Sequence, residues 1–526
     1  MHEDYSGKEM AGASGTAFWE GIPSARPRKE PFQADRKDGI FALAAFILGF
    51  FFIRWVFFSW EGWGVTAFTL GYSAVVTRYF LKKGIHITRA GWFWLAVVVL
   101  TGVSFSLWSN KGLEPWRSIC LFLSAVYWVI NVTGLPLLGK TSNWLILDGI
   151  NGLFVIPFRN FGCQYQSIAF LGRDRRAEGR KIFSIVLGLL LTLIVVSMVL
   201  PLLMKADSGG FAKITGGVTA YFYGMGQDLA QLIFHGILAI PVAAYLFGLV
   251  AGSAHKRGWD AFQVEGVEQA LSALRVLPLA TVYTLLGLLC TLYVVFLGSQ
   301  APYFFSPFVG ERPEGWQVYS EYARSGFFEL CRIAAINLSV LAGANIFSKK
   351  TGRGGLVLKV LNSLLAVLTL VLIATALSKM AMYIGAYGLS VRRLLPCLFM
   401  VFLAVICGGI VALQKWQFSI VRLALGVGVV MLCTLSLADP DSFVARYNAD
   451  RYLSGTLQDF DAAILYRSGP AGVDPALKVY EKTDDPVLKD ALKAYLLTQR
   501  ELAAESLGKP GDNLQKVRAR QKTTEI

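Results

Sequence analysis

Long apolar stretches, separated by short polar or basic segments, follow one another from residue 39 to residue 438. Eleven of them approach or exceed the roughly 20 residues a helix needs to cross the hydrocarbon core of a bilayer. They fall at about 39–60, 65–81, 91–108, 116–138, 182–204, 229–251, 276–297, 327–347, 356–382, 394–413 and 420–438. Backbone polar groups find no water in that core, so a chain that crosses it repeatedly must pair them within helices. The pattern predicts an all-α fold, a polytopic helical transmembrane bundle of about 11 spans occupying 39–438.

Two segments depart from this rhythm. Residues 143–157 are apolar but interrupted by Asp148, Asn151, Gly152 and Pro157. They are expected to form an interfacial or re-entrant helix, because a crossing there would reverse every later loop. Residues 259–274 place Trp259, Phe262, Val267, Leu271 and Leu274 near one helical face, the pattern of an elbow helix on the membrane surface. Outside the bundle, residues 1–38 read as a disordered cytoplasmic tail. Residues 439–510 read as a small extracytoplasmic helical region that leans on the bundle, and 511–526 as a disordered tail.

Charge sets the orientation. Charged residues are 16% of the chain against about 25% in soluble domains, and they gather in loops and tails. The net charge of +15 sits largely in alternate loops: Arg78, Lys82, Lys83 and Arg89; Arg173 to Lys181; Lys256, Arg257 and Arg275; Lys349, Lys350 and Arg353. Cytoplasmic loops carry such an excess. The bias puts the N-terminus in the cytoplasm, and an odd number of crossings puts the C-terminus outside. It also assigns the basic character to topology and not to nucleic acid. The partners expected are the lipid bilayer and an envelope or signalling protein.

The chemistry-bearing residues are few. Seven cysteines show no paired spacing for a metal or redox site, and there is no His-Glu-x-x-His pattern. No catalytic residue, metal or cofactor is therefore assigned, and no secretory signal peptide is expected. Ionisable residues inside spans are costly and are functional candidates by default. Arg54 lies in the first span, within reach of the outer headgroups. Asp228, Gln231 and His235 share one face at the outer start of the sixth span. The main cluster comes from two span ends. Tyr322, Arg324, Glu329 and Arg332 open the eighth span, and Lys379, Tyr383, Tyr387 and Arg392 close the ninth and follow it. Glu329 is the natural counter-charge for Lys379 or an arginine there. Such a cluster is either a ligand site or an ion-pair network that locks two helices.

Three segments resemble a known family. SEYARSGFFEL (Ser320 to Leu330) is similar to its Tyr-Ala-Arg-x-Gly-Phe-Phe-Glu-Leu motif. SKMAMYIGAYGLSVRR (Ser378 to Arg393) resembles its Tyr-Gly-Leu-Thr/Ser turn followed by Arg. ADPDSFVARYNADRYLSGTLQDFDAAIL (Ala438 to Leu465) resembles its Ala-Arg-Tyr-Asn opening after the last span. The family is domain of unknown function 4173, with 4153 as a close sister, and the likeness is firm over about 230–470. Lys379 stands where that family has Arg, and Ala438 where it has Asn. The resemblance implies a multi-pass protein of the bacterial plasma membrane, with no settled activity. The reading that demands least is a non-catalytic envelope sensor or accessory protein with a polar site on its outer face. A small-solute transporter and a membrane enzyme acting on an envelope substrate are the alternatives.

Overall fold

A computed structural model describes residues 32–139, 141–171, 210–257, 264–299, 319–349 and 355–524. The regular structure among the described residues is helical, with one isolated bridge between Leu277 and Ser348. The helices are α1 (Arg36–Phe52), α2 (Gly62–Lys82), α3 (Arg89–Leu107), α4 (Glu114–Val132), α5 (Leu145–Ile150), α6 (Ile156–Arg159) and α7 (Cys163–Leu171). There follow α8 (Gly210–Ala254), α9 (Val264–Leu274), α10 (Leu279–Ser299), α11 (Tyr319–Phe347), α12 (Gly355–Tyr387), α13 (Val391–Ala412) and α14 (Ile420–Ala438). A C-terminal group comprises α15 (Pro440–Leu453), α16 (Ala462–Ser468), α17 (Val473–Lys482), α18 (Pro486–Glu505) and α19 (Leu514–Thr523).

Among the described residues, nine helical stretches are long and apolar enough to cross a membrane. Each matches one of the 11 expected spans. The expected span at 65–81 lies in α2, which is 21 residues long but carries more polar side chains. The one at 182–204 lies outside the described residues.

Contacts between the helix ends define two faces of the bundle. At the near end, Lys83 after α2 and His255 after α8 both meet Asp38 at the start of α1. There too Leu277 pairs with Phe347, and Arg422 donates to the Thr141 carbonyl at 2.7 Å. At the far end, Trp108 donates to the Leu437 carbonyl at 3.0 Å and Asn110 to that of Ser436 at 2.9 Å. The strongly basic described loops gather at the near end.

The segment at 143–157 keeps both of its ends on the near side. Asp148 accepts from the Leu137 amide at 2.8 Å, and Asn160 donates to the Arg257 carbonyl at 3.0 Å. Between them α5 passes through a π-turn, Asn151–Val155, into α6, where Pro157 supplies no amide proton. Gly152 lies so close to Ile130 that any side chain would collide with it. Both ends of this continuous helical stretch thus stay at the near end, as expected of an interfacial or re-entrant segment and not of a crossing. α9 lies between α8 and α10 at that same end, where the elbow was expected; Trp259 and Phe262 fall outside the described residues.

The C-terminal helices form a head seated on the far end. They have their own core, in which Ala445, Leu465, Val479, Leu492, Tyr495 and Leu496 are buried. Each buried leucine or valine among them contributes about 1.5–3 kcal/mol. The expected disordered tail at 511–526 is instead largely ordered. Asn513 caps α19 by accepting from the Lys516 amide at 2.9 Å, and Gln515, Ala519 and Thr523 are buried. Lys516 pairs with Glu61 before α2 at 2.9 Å, and Arg520 with Asp512 at 2.7 Å. The low hydropathy of this stretch conceals the helix, because its partners lie some 450 residues away in sequence.

Candidate functional site

Lys379, Tyr383 and Tyr387 lie toward the far end, where the contacts begin at a turn. Gly388 ends α12 with φ of 74°, a left-handed conformation that favours glycine. A Cβ there would lie 2.6 Å from the Asn448 side-chain oxygen. Asn448, buried in α15, takes both backbone groups of Leu389: the Leu389 amide donates to Oδ1 and Nδ2 donates to the Leu389 carbonyl, each at 2.7 Å. Helix ends leave carbonyls without partners. Two guanidinium groups supply them here. Arg393 donates to the Tyr387 carbonyl at 2.9 Å and to that of Gly388, with its plane 4.4 Å from the Tyr383 ring. Arg451 donates to the Ile384 carbonyl at 3.2 Å and to that of Thr456 at 2.7 Å.

One turn deeper, Lys379 is buried at 1% exposure, with Glu329 as a carboxylate that acts on it electrostatically. Its ammonium fills the space beside Gly326: a Cβ on Gly326 would stand 2.5 Å from Nζ. The glycine of the Tyr-Ala-Arg-Ser-Gly-Phe-Phe-Glu-Leu segment is thus the gap through which α12 delivers its lysine. The rings of Tyr383 and Tyr387 pack at a tilt, with centroids 5.1 Å apart.

Not every expected member joins this group. Glu329, Arg332 and Arg392 are exposed, and Arg393 rather than Arg392 closes the turn. Tyr322 and Arg324 lie on α11, with side chains outside the described residues. On the secondary face, His235 is buried against the rings of Phe50 and Phe58, Gln231 is exposed, and the side chain of Asp228 is outside the described residues. Arg54 is exposed in the π-turn Ile53–Phe57 that extends α1.

A model of the family described as "Domain of unknown function (DUF4153)" matches residues 95–478. The chain belongs to this family. No curated protein and no solved structure matches it. The sister family named beside the resemblance is the one the match identifies, and it reaches well upstream of the 230–470 expected, to the start of α3. All three quoted segments of this DUF4153 chain lie inside the match, and each contributes to the turn or to the helix pair beneath it.

Sequence reasoning missed three further features. The first is a buried junction between bundle and head. Arg117, 1% exposed, donates to the carbonyls of Ser104, Trp108 and Ser109 and lies 3.8 Å from the Phe105 ring. Beside it Asp439 caps α15 and accepts from Gln515 at 2.8 Å. Asp441, 2% exposed, accepts from the Gly112 amide at 3.4 Å. Burial pushes the Asp441 carboxyl up to about 6 and raises that of Asp439 as well. The folded Asp441 holds its proton more tightly than the unfolded chain, whose ordinary value is 3.8. Its stabilisation is therefore full below about pH 4 and lost as pH rises through about 6. Asp441→Asn is expected to flatten the decline in thermal unfolding midpoint over that window, measured in detergent against wild type.

The second feature is a polar cluster at the near end. Asp38, fully buried, accepts from Tyr79 at 2.7 Å and meets Lys83 at 2.8 Å and His255 at 3.1 Å. Its signal in the sequence is the Asp35-x-x-Asp38 capping pattern ahead of the first apolar run. The third is the string Gly134 to Thr141, which has the Gly-x-x-x-x-Gly-Lys-Thr spacing of a phosphate-binding loop. It follows helix α4 and not a strand. Thr141 there accepts from the Tyr127 hydroxyl at 2.9 Å, and its carbonyl holds Arg422, so the context that gives the string its meaning is missing. Among the described residues no group of His, Cys, Asp or Glu could hold a metal ion.

Proposed function

We propose that this DUF4153 protein is a non-catalytic sensor or accessory protein of the bacterial plasma membrane. Its N-terminus would lie in the cytoplasm and its head outside. The observation that carries the reading is the double hydrogen bond between Asn448 and Leu389. Asn448 and Arg451 of α15 fasten the head to the end of α12 and the α12–α13 turn, which is what a device that passes a state from head to bundle requires. A transporter needs charged groups near the bilayer midplane on broken helices. Here the buried charges Asp38, Arg117 and Lys379 sit toward helix ends. The gathering of basic loops at the near end supports the orientation.

Two experiments test this. A phosphatase reporter that works only outside the cytoplasm, fused after Thr524, is expected to be active; a cytoplasmic reporter active at that site would reverse the orientation. A strain carrying Asn448→Ala, inserted at wild-type levels, is expected to reproduce the transcript profile of the deletion strain. A wild-type profile with the head shown to be released would end the sensor reading.

A further inference from the structure

Head and bundle enclose a cavity of about 280 Å³ at the far end, between Trp108 of the α3–α4 loop, the Asp439 break and helices α15, α17 and α19. Two arginines from separate helices line it, Arg446 from the Ala-Arg-Tyr-Asn segment of α15 and Arg518 from α19. Both are exposed, and among the described residues neither makes a hydrogen bond or an ion pair. Their basic neighbours on α19 differ: Lys516, Arg520 and Lys522 each hold a carboxylate at 2.7–2.9 Å.

The acids that face the cavity are already committed. Asp474 is paired with Lys522 at 2.8 Å. Asp439 accepts from Gln515 and from the Ser442 amide, and the charge of Arg446 acts on it from a distance. The opening therefore presents two guanidinium forks with unused donors above a floor whose negative charge is spoken for. Planar forks of this kind match phosphate and carboxylate oxygens. Trp108 and Phe443 add apolar faces at the same opening, and small-molecule sites combine such faces with a few placed polar groups.

We propose that this cavity binds a molecule bearing one anionic phosphate or carboxylate group, held between Arg446 and Arg518 with its apolar part against Trp108 and Phe443. The site lies where the spans α3 and α14 end, so a phosphate could arrive on a lipid headgroup or on a free solute. The idea deepens the sensor reading and rests on it for its consequence: Arg446 and Asn448 belong to the same helix, α15, so occupancy bears on the element that carries the latch.

The test uses the full chain in lipid nanodiscs of uncharged lipid. Inorganic phosphate, succinate and short-chain phosphatidylglycerol are titrated in turn, and binding is read by calorimetry. At least one of the three is expected to bind. Phosphatidylglycerol alone would identify the lipid source, and phosphate or succinate the free one. Arg446→Gln and Arg518→Gln are each expected to weaken binding about tenfold or more, since each removes charge-assisted hydrogen bonds. Arg446→Lys should restore only part of it, and Arg467→Gln, on a head helix away from the cavity, should change nothing. Unchanged unfolding midpoints without ligand would show that the variants fold. No binding by any of the three, or equal binding by wild type and both Gln variants, overturns the proposal. That failure leaves the Asn448→Ala transcript result standing; conversely, binding without any effect of the latch variant would remove the sensor role and keep the site.

Discussion

Replacing Asp38 by Ala is expected to destabilise the protein by about 3–5 kcal/mol, the usual cost of removing one partner from a buried charge network. The reason is local and additive in kind. The Asp38 carboxylate takes the Tyr79 hydroxyl, the Lys83 ammonium and the His255 ring, and it closes a capping box with the Asp35 amide at 3.0 Å. These partners come from the ends of α1, α2 and α8, so one side chain holds three spans in register. Without it, Tyr79 keeps a buried hydroxyl with no acceptor, and Lys83 keeps a single carboxylate, the half-exposed Asp35 at 2.9 Å, beside His255. Asp38→Asn keeps an acceptor for Tyr79 and should cost less. Thermal or denaturant unfolding in detergent checks both. A loss below about 1 kcal/mol for the alanine variant would show the network to be idle, since that is the scale of an exposed pair.

Asn448→Ala comes next, with an expected cost of about 2–4 kcal/mol. It strips partners from two buried backbone groups of Leu389, each of which carries a penalty of about 1–3 kcal/mol when left unpaired. The loss falls at one seam, between α15 and the α12–α13 turn. The head should therefore loosen before the bundle unfolds, and limited proteolysis or amide exchange in 440–524 should rise while α10 to α13 stay protected. Asn448→Asp keeps an acceptor for the Leu389 amide but loses the donor to its carbonyl and buries a charge, so it should not rescue. Equal protection of the head in wild type and alanine variant would show that the remaining contacts, such as Lys516–Glu61, suffice to hold it.

Both residues show where reading along the chain falls short. Asp38 is visible as half of a capping pattern, yet nothing local says that Lys83 and His255 will arrive beside it. Asn448 lies in a segment recognised as family-like, but its role depends on a turn some 60 residues earlier. Lys379 stands out in the sequence as an ionisable residue within a span. What the sequence hides is that Gly326 makes room for it. Arg392 and Arg393 are equivalent in sequence, and only the direction in which each leaves α13 makes Arg393 the cap. The missed helix α19 has the same origin: a polar stretch without a hydrophobic signature becomes ordered when its salt bridges and a cap meet a surface elsewhere.

By itself the sequence determined that this chain is a helical membrane bundle and where most of its spans fall. These follow from local apolar length and composition, because the bilayer imposes its thickness and its lack of hydrogen-bonding partners on each segment separately. Only the tertiary structure decided that 143–157 keeps both ends at the near end, that the head has a core and a seat, and that Asn448 and Arg451 form a latch. Those outcomes depend on polar contacts between residues tens to hundreds of positions apart, which no window along the chain contains.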